Sequence, residues 1–86
     1  MTKNVLKDLQ KIPGVGPSIA RDLYDLGIRE VAGLKKKNPE KMYAELCRKR
    51  GQHIDRCLLY VFRCAVYYAS HKKQSPAKLL WWNWKD

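Results

Sequence analysis

The hexapeptide Ile12-Pro13-Gly14-Val15-Gly16-Pro17 constrains this chain more than any other stretch. Its two prolines and two glycines exclude both an unbroken helix and an interior strand. Apolar residues at helical spacing flank it: Val5, Leu6 and Leu9 before, Ile19, Ala20, Leu23 and Leu26 after. Two helices must therefore meet through one tight loop, with Val15 anchoring the turn in the core. Pro17 suits a first helical position, where its missing N–H would have no partner anyway. The helix behind it leaves amides unpaired and turns the positive end of its dipole to the loop. Glycine at 14 and 16 removes the Cβ atoms that would hold an anion away. A nest of amides at Gly14, Val15 and Gly16 is expected to take a phosphate oxygen without reading any base.

The same punctuation orders the rest. Helices are expected over 4–11, from Pro17 to a Gly27 C-cap, over a short stretch near 28–34, and from Pro39 behind an Asn38 N-cap to Gly51. The longest, 54–70, carries Ile54, Leu58, Val61, Phe62, Ala65, Val66 and Ala69 on one face and reads as the central strut. Ser75-Pro76 opens one more short helix. No stretch alternates like a strand. The expected fold is all-α, one compact domain of five or six helices over residues 1–86. Apolar area is scarce in a chain of 86 residues. Segment 75–86, ending Leu79-Leu80-Trp81-Trp82-Asn83-Trp84, is therefore read as a clasp. Leu79, Leu80 and at least one of Trp81 and Trp82 should be packed, in preference to a base-stacking or membrane-interface role. Tyr60, Tyr67 and Tyr68 read as framework of the long helix.

Charge narrows the partner. Eighteen Lys and Arg stand against eight Asp and Glu, a net +10. Residues 1–34 hold five bases and four acids, whereas residues 35–86 hold thirteen bases and four acids. Lys35, Lys36, Lys37, Lys41, Arg48, Lys49 and Arg50 supply the basic surface. Such a field attracts phosphate backbones. No apolar run is long enough to span a bilayer and none resembles an export signal, so a cytoplasmic protein with no membrane partner is expected.

Cys47, Cys57 and Cys64 are odd in number and fit no common zinc spacing, even with His53 or His71 enlisted. They are read as reduced and metal-free, with Cys57 and Cys64 packing as small apolar groups beside Val61. Asp22 and Asp25 read as solvated carboxylates.

The stretch LQKIPGVGPSIARDL resembles the helix-hairpin-helix motif of DNA-repair and recombination proteins. Leu9 and Ile12 match its apolar positions, Gly14, Val15 and Gly16 its Gly-apolar-Gly hairpin, and Ala20 the small residue where the two helices touch. The resemblance implies DNA-backbone contact through the hairpin amides over 3–27, often beside a monovalent cation held by loop carbonyls. Ser18 departs from the motif, which often carries Lys or Arg there; Arg21 or Lys11 is expected to compensate. Segment 28–51 resembles the degenerate second hairpin of tandem forms, with Asn38-Pro39-Glu40 in place of the glycines, and tandem forms resemble sterile-alpha-motif domains. The whole chain, including CLLYVFRCAVYYAS and LLWWNWKD, looks like the small bacterial pathogenicity-locus family of helix-hairpin-helix proteins. That family brings no established activity.

Helix-hairpin-helix glycosylases carry a downstream catalytic Asp. Here the matching neighbourhood, Val31 to Lys35, holds none. With no plausible acid, base or nucleophile cluster, no enzyme and no cofactor are expected. The expected function is non-specific binding of duplex or branched DNA. The rival is a protein-interaction adaptor that uses the basic patch and the Trp tail.

Overall fold

The computed structural model describes residues 2–85; Met1 and Asp86, which the 1–86 domain includes, lie outside them. Among the described residues there are four α-helices and three 3-10 turns, and no strand: α1 Thr2–Leu9, α2 Pro17–Asp25, α3 Pro39–Arg50 and α4 Cys57–Ser70, with 3-10 turns at Val31–Leu34, Pro76–Leu79 and Trp81–Trp84. The fold is all-α, but the expected five or six helices reduce to four. The segment near 28–34 and the one after Ser75 each hold too few residues between their punctuation marks for a full α-turn to propagate.

α1 ends before Lys11. The Lys11 amide donates to Asp8 O (3.1 Å) and the Ile12 amide to Leu9 O (3.2 Å), which tightens the backbone toward the loop. α2 begins at Pro17, as its proline requires, and buries Ala20 and Leu23. Its end is a Schellman closure: Gly27 lies at φ +90 and donates to Tyr24 O, while Ile28 donates to Leu23 O. Asn38 caps α3 by accepting the Lys41 amide at 3.1 Å, and Gly51 ends it at φ +67.

α4 starts three residues later than the apolar pattern suggests. The Asp55 carboxylate accepts the Cys57 amide at 2.8 Å, so Asp55 caps the helix from outside it. Ile54 stays half-buried on the core, and its carbonyl accepts the Tyr43 hydroxyl.

One core joins the elements. Leu9, Ile12, Val15, Leu23, Leu34, Leu46, Leu59 and Phe62 are all buried in it. α1 and α2 pack on each other, and α3 and all three 3-10 turns pack on α4. The C-terminal turns are tied down. The Trp84 indole N–H donates to Lys78 O (2.7 Å), and the Arg63 guanidinium donates to Trp84 O (2.7 Å) and pairs with Glu40 (2.8 Å). Trp81 packs on the core and Leu79 is half-buried. Leu80 and Trp82, by contrast, are exposed. Leu80 lies in the link between the two turns, and the four-residue turn Trp81–Trp84 points successive side chains in different directions, so it cannot bury all of its indoles on one face.

Candidate functional site

The site is built on the junction of α1 and α2. Val15 is buried, and its amide donates to Ile12 O at 3.0 Å. It anchors the loop, as its apolar character requires, but its N–H is spent within the turn and leaves the expected amide nest. The Ala20 amide closes the first helical bond on Gly16 O at 2.9 Å. That leaves the amides of Gly14, Gly16, Ser18 and Ile19 without a partner among the described residues. Those of Gly16, Ser18 and Ile19 are the orphan donors of a helix start that has no side-chain cap, and Gly14 lies two residues before it.

The two glycines differ in role. Gly14 sits at φ +86, and a Cβ there would lie 3.0 Å from Cδ1 of Trp81. Gly16 is the N-cap at φ −95 and ψ −171, which any residue adopts, and nothing lies within 4 Å of the position of its Cβ. Strain at Gly16, a natural expectation for the second glycine of such a loop, is therefore absent. Gly14 serves backbone and packing, while Gly16 leaves an open approach to the orphan amides.

The charges nearest the loop are partly spoken for. Lys11 pairs with Asp8 (3.3 Å) and Arg21 with Asp25 (3.4 Å), all on the surface. Arg50, at the end of α3, holds both Asp22 (2.9 Å) and Asp25 (2.8 Å) through one nitrogen. Asp22 and Asp25 are thus a clamp and not free solvated acids. The Arg50 hydrogen bond holds the Asp25 carboxyl below its usual range, and the two carboxylates push the Arg50 guanidinium up. A cavity of about 360 Å³ opens beside Gly14, Ile19 and Trp81, with Asp22 and Asp55 on its wall.

Lys35, Lys36, Lys37, Lys41, Arg48 and Lys49 are exposed and make no ion pair among the described residues. The lysine turn stands away from the loop. Lys36 donates its amide to Ser70 Oγ at 3.4 Å, at the far end of α4, whereas the loop lies beside Cys57, Leu58 and Val61. Nine residues of helix, about 14 Å, separate Val61 from Ser70. Arg48, Lys49 and Arg50 fill the last turn of α3, where its dipole favours cations.

All three cysteines are free thiols. Cys64 is buried, and burial pushes its thiol pKa up. Cys57 is exposed and not packed as its helical register suggests, because it begins α4 instead of lying inside it. The Asp55 carboxylate beside it pushes its thiol pKa up. No group of three or more His, Cys, Asp or Glu converges among the described residues. A second cavity, about 570 Å³, is lined by Glu40, Arg63, Tyr67, His71 and Trp84, with Arg63 held in the cross-tie to Glu40 and Trp84.

Sequence reasoning placed the loop but missed Trp81 and Asp55 beside it. The unusual tryptophan content of the tail was the one signal for the former. The Asp two residues before an apolar run, a helix-cap signature, was the signal for the latter.

The family model Cdd1, described as pathogenicity locus, matches residues 2–86. Mitomycin resistance protein McrB of Streptomyces lavendulae is 33% identical over 84 residues, which cover 98% of this chain and 76% of the relative. No solved structure matches the chain. No helix among the described residues is long and apolar enough to cross a membrane.

Proposed function

The chain belongs to the pathogenicity-locus family, and we propose that it binds DNA through backbone phosphates, without reading sequence, at the loop between α1 and α2. The observation that carries this reading is the set of orphan amides at Gly14, Gly16, Ser18 and Ile19 beside the open space over Gly16. Amides at a helix start favour an anion and carry no base information. We read residues 3–27 as a helix-hairpin-helix and 28–51 as its degenerate partner, in a tandem arrangement of sterile-alpha-motif type. The carbonyls of Pro13, Gly14 and Val15 accept no hydrogen bond among the described residues, so oxygen donors for a monovalent cation are present.

Ser18 adds a hydroxyl at the site. Lys11 and Arg21 stand beside it in exposed ion pairs, which exchange readily for a phosphate because such pairs are weak. The lysines at 35, 36, 37 and 41, with Arg48 and Lys49, act through the general field, which concentrates a polyanion near the surface. On this reading the protein is a cytoplasmic binding module and not an enzyme, with duplex or branched DNA as partner.

Gly16→Asp tests the reading. Asp is a favourable N-cap in extended backbone, so it should satisfy the amides of Ser18 and Ile19 and hold or raise the melting temperature. The same carboxylate occupies the anion site and should lower affinity about tenfold or more for two unrelated duplexes alike. Wild-type affinity should fall with salt at a slope of about −0.9 per phosphate neutralised. A folded Gly16→Asp protein that binds both duplexes like the parent would remove the loop from the interface. A cell-level arm follows from the relative's name: expression of the wild-type chain should raise tolerance to mitomycin, and Gly16→Asp should remove the gain.

Exposed Leu80 and Trp82, with Asp22 and Asp55 close to the loop, favour a second reading, a protein-interaction adaptor. Absence of DNA binding at low salt would select it.

A further inference from the structure

The C-terminal segment meets the loop at Gly14, and this places a second kind of nucleic-acid contact next to the first. Trp81 lies against Gly14, with three of its side-chain atoms within 3.5 Å of where a Cβ would stand. Trp82 is its neighbour, with ring centroids 5.8 Å apart and planes at 84°. Trp81 is half-buried and packs against the core, whereas Trp82 is 50% exposed, an unusual position for the largest apolar side chain. The turn that presents Trp82 is held at several points. Asn83 N donates to Leu80 O (2.9 Å), Asn83 Nδ2 to Ala77 O (2.8 Å) and the Trp84 indole to Lys78 O (2.7 Å), while Arg63 grips the Trp84 carbonyl. An exposed indole on a fixed turn loses little entropy when a flat partner covers it.

We infer that Trp82 is a stacking platform for an unpaired nucleobase, so that the protein prefers DNA in which a duplex adjoins unpaired nucleotides. The inference rests on the backbone-binding reading of the loop and adds the class of DNA. The charge of the chain, +10, selects a polyanion over an apolar partner for this patch. A base within a duplex has its faces covered by its neighbours, whereas an unpaired base offers a face to an aromatic ring. Trp82 touches Trp81 and Trp81 touches Gly14, which links the exposed ring to the loop through two contacts; a strand held at the loop amides would lay its next bases toward that ring. Trp81, wedged on Gly14, is the positioning residue that fixes this spacing.

The test is competition binding with three DNAs of one sequence: a fully paired duplex, the same duplex with a short gap, and the gapped duplex with abasic spacers in the gap. The spacers keep every phosphate and remove only the rings. Wild-type protein should bind the gapped duplex about tenfold more tightly than the paired one, with the preference gone for the abasic gap. Trp82→Ala should bring the ratio of gapped to paired affinity to about one while leaving paired-duplex affinity within about twofold, and Trp82→Tyr should restore part of the ratio. A preference that survives in the abasic gap or in folded Trp82→Ala would overturn the stacking role and leave the backbone reading intact, as would equal wild-type binding to paired and gapped DNA. No binding to any of the three would remove both. The abasic arm uses wild-type protein, so the outcome stands even where a Trp82 variant folds poorly.

Discussion

Gly14 and Trp81 approach so closely that a Cβ on Gly14 would lie 3.0 Å from Cδ1 of the indole, tighter than an ordinary contact. The contact closes the molecule, since it presses the end of the chain onto the turn between its first two helices. The same glycine holds φ +86, a left-handed conformation that L side chains rarely adopt. Gly14→Ala should therefore destabilise the protein by about 1–3 kcal/mol through backbone strain alone, with a steric part on top. Thermal melts of Gly14→Ala in wild-type and Trp81→Ala backgrounds separate the two. The cost should be smaller in the Trp81→Ala background, and equal costs would mean that the indole contributes nothing at Gly14.

The clamp formed by Arg50 on Asp22 and Asp25 makes stability depend on pH. The folded-state pKa of Asp25 is depressed, first by the Arg50 hydrogen bond. Its contribution is therefore fully present above the unfolded carboxylate pKa of about 3.9 and is lost as pH falls through the lower folded value. Asp25→Asn should melt below wild type at neutral pH, with the gap closing as pH drops under about 4. Melting curves from neutral to strongly acidic pH check this. Raising the salt should narrow the neutral-pH gap, because the pair lies at the surface.

Lys36 stands where a glycine would be expected. Leu34 to Lys37 form a type II turn, with Lys35 at φ −57 and ψ 129, Lys36 at φ +60, and the Lys37 amide on Leu34 O at 3.1 Å. A left-handed lysine costs about 1–2 kcal/mol, and the entropy that glycine loses on folding returns part of it. Lys36→Gly should thus stabilise the protein by about 0.5–1 kcal/mol. Denaturant titration measures the gain. If the proposed loop site holds the DNA, paired-duplex affinity should fall only mildly, because Lys36 lies at the far end of α4 from the loop. A large loss of affinity would place the DNA along the lysine turn instead.

Much of this architecture is legible in the sequence, because its causes are local. Pro17, Asn38-Pro39 and Gly51 act on their own few residues, so the start of α2 and both ends of α3 follow from residue chemistry alone. The apolar spacing of 54–70 selects the long helix as the centre for the same reason, since a helical stripe is a property of neighbours in the chain, although the helix itself begins at Cys57. The anchoring of the loop by Val15 needs only its apolar character and the turn around it. The helix count is less legible. Segments of four residues between punctuation marks lie at the limit where α and 3-10 turns compete, and packing on α4 decides.

Contacts between distant segments are decided by tertiary structure. Nothing local to Asp22 and Asp25 says that Arg50 will cross from another helix to hold them, so they read as solvated until α3 is docked. The basic residues share one composition, yet α4 sets Lys36 at its far end from the loop, and charge counts carry no distance. The two glycines look alike in sequence. Trp81 stands against the Cβ position of Gly14 and arrives only when the C-terminal turns fold back, while nothing lies near the Cβ position of Gly16. The amino-acid sequence determined a helical molecule with a glycine loop at a helix start. The folded chain decided which glycine meets a side chain and which keeps open space at its Cβ position, because that depends on where a residue far along the chain comes to rest.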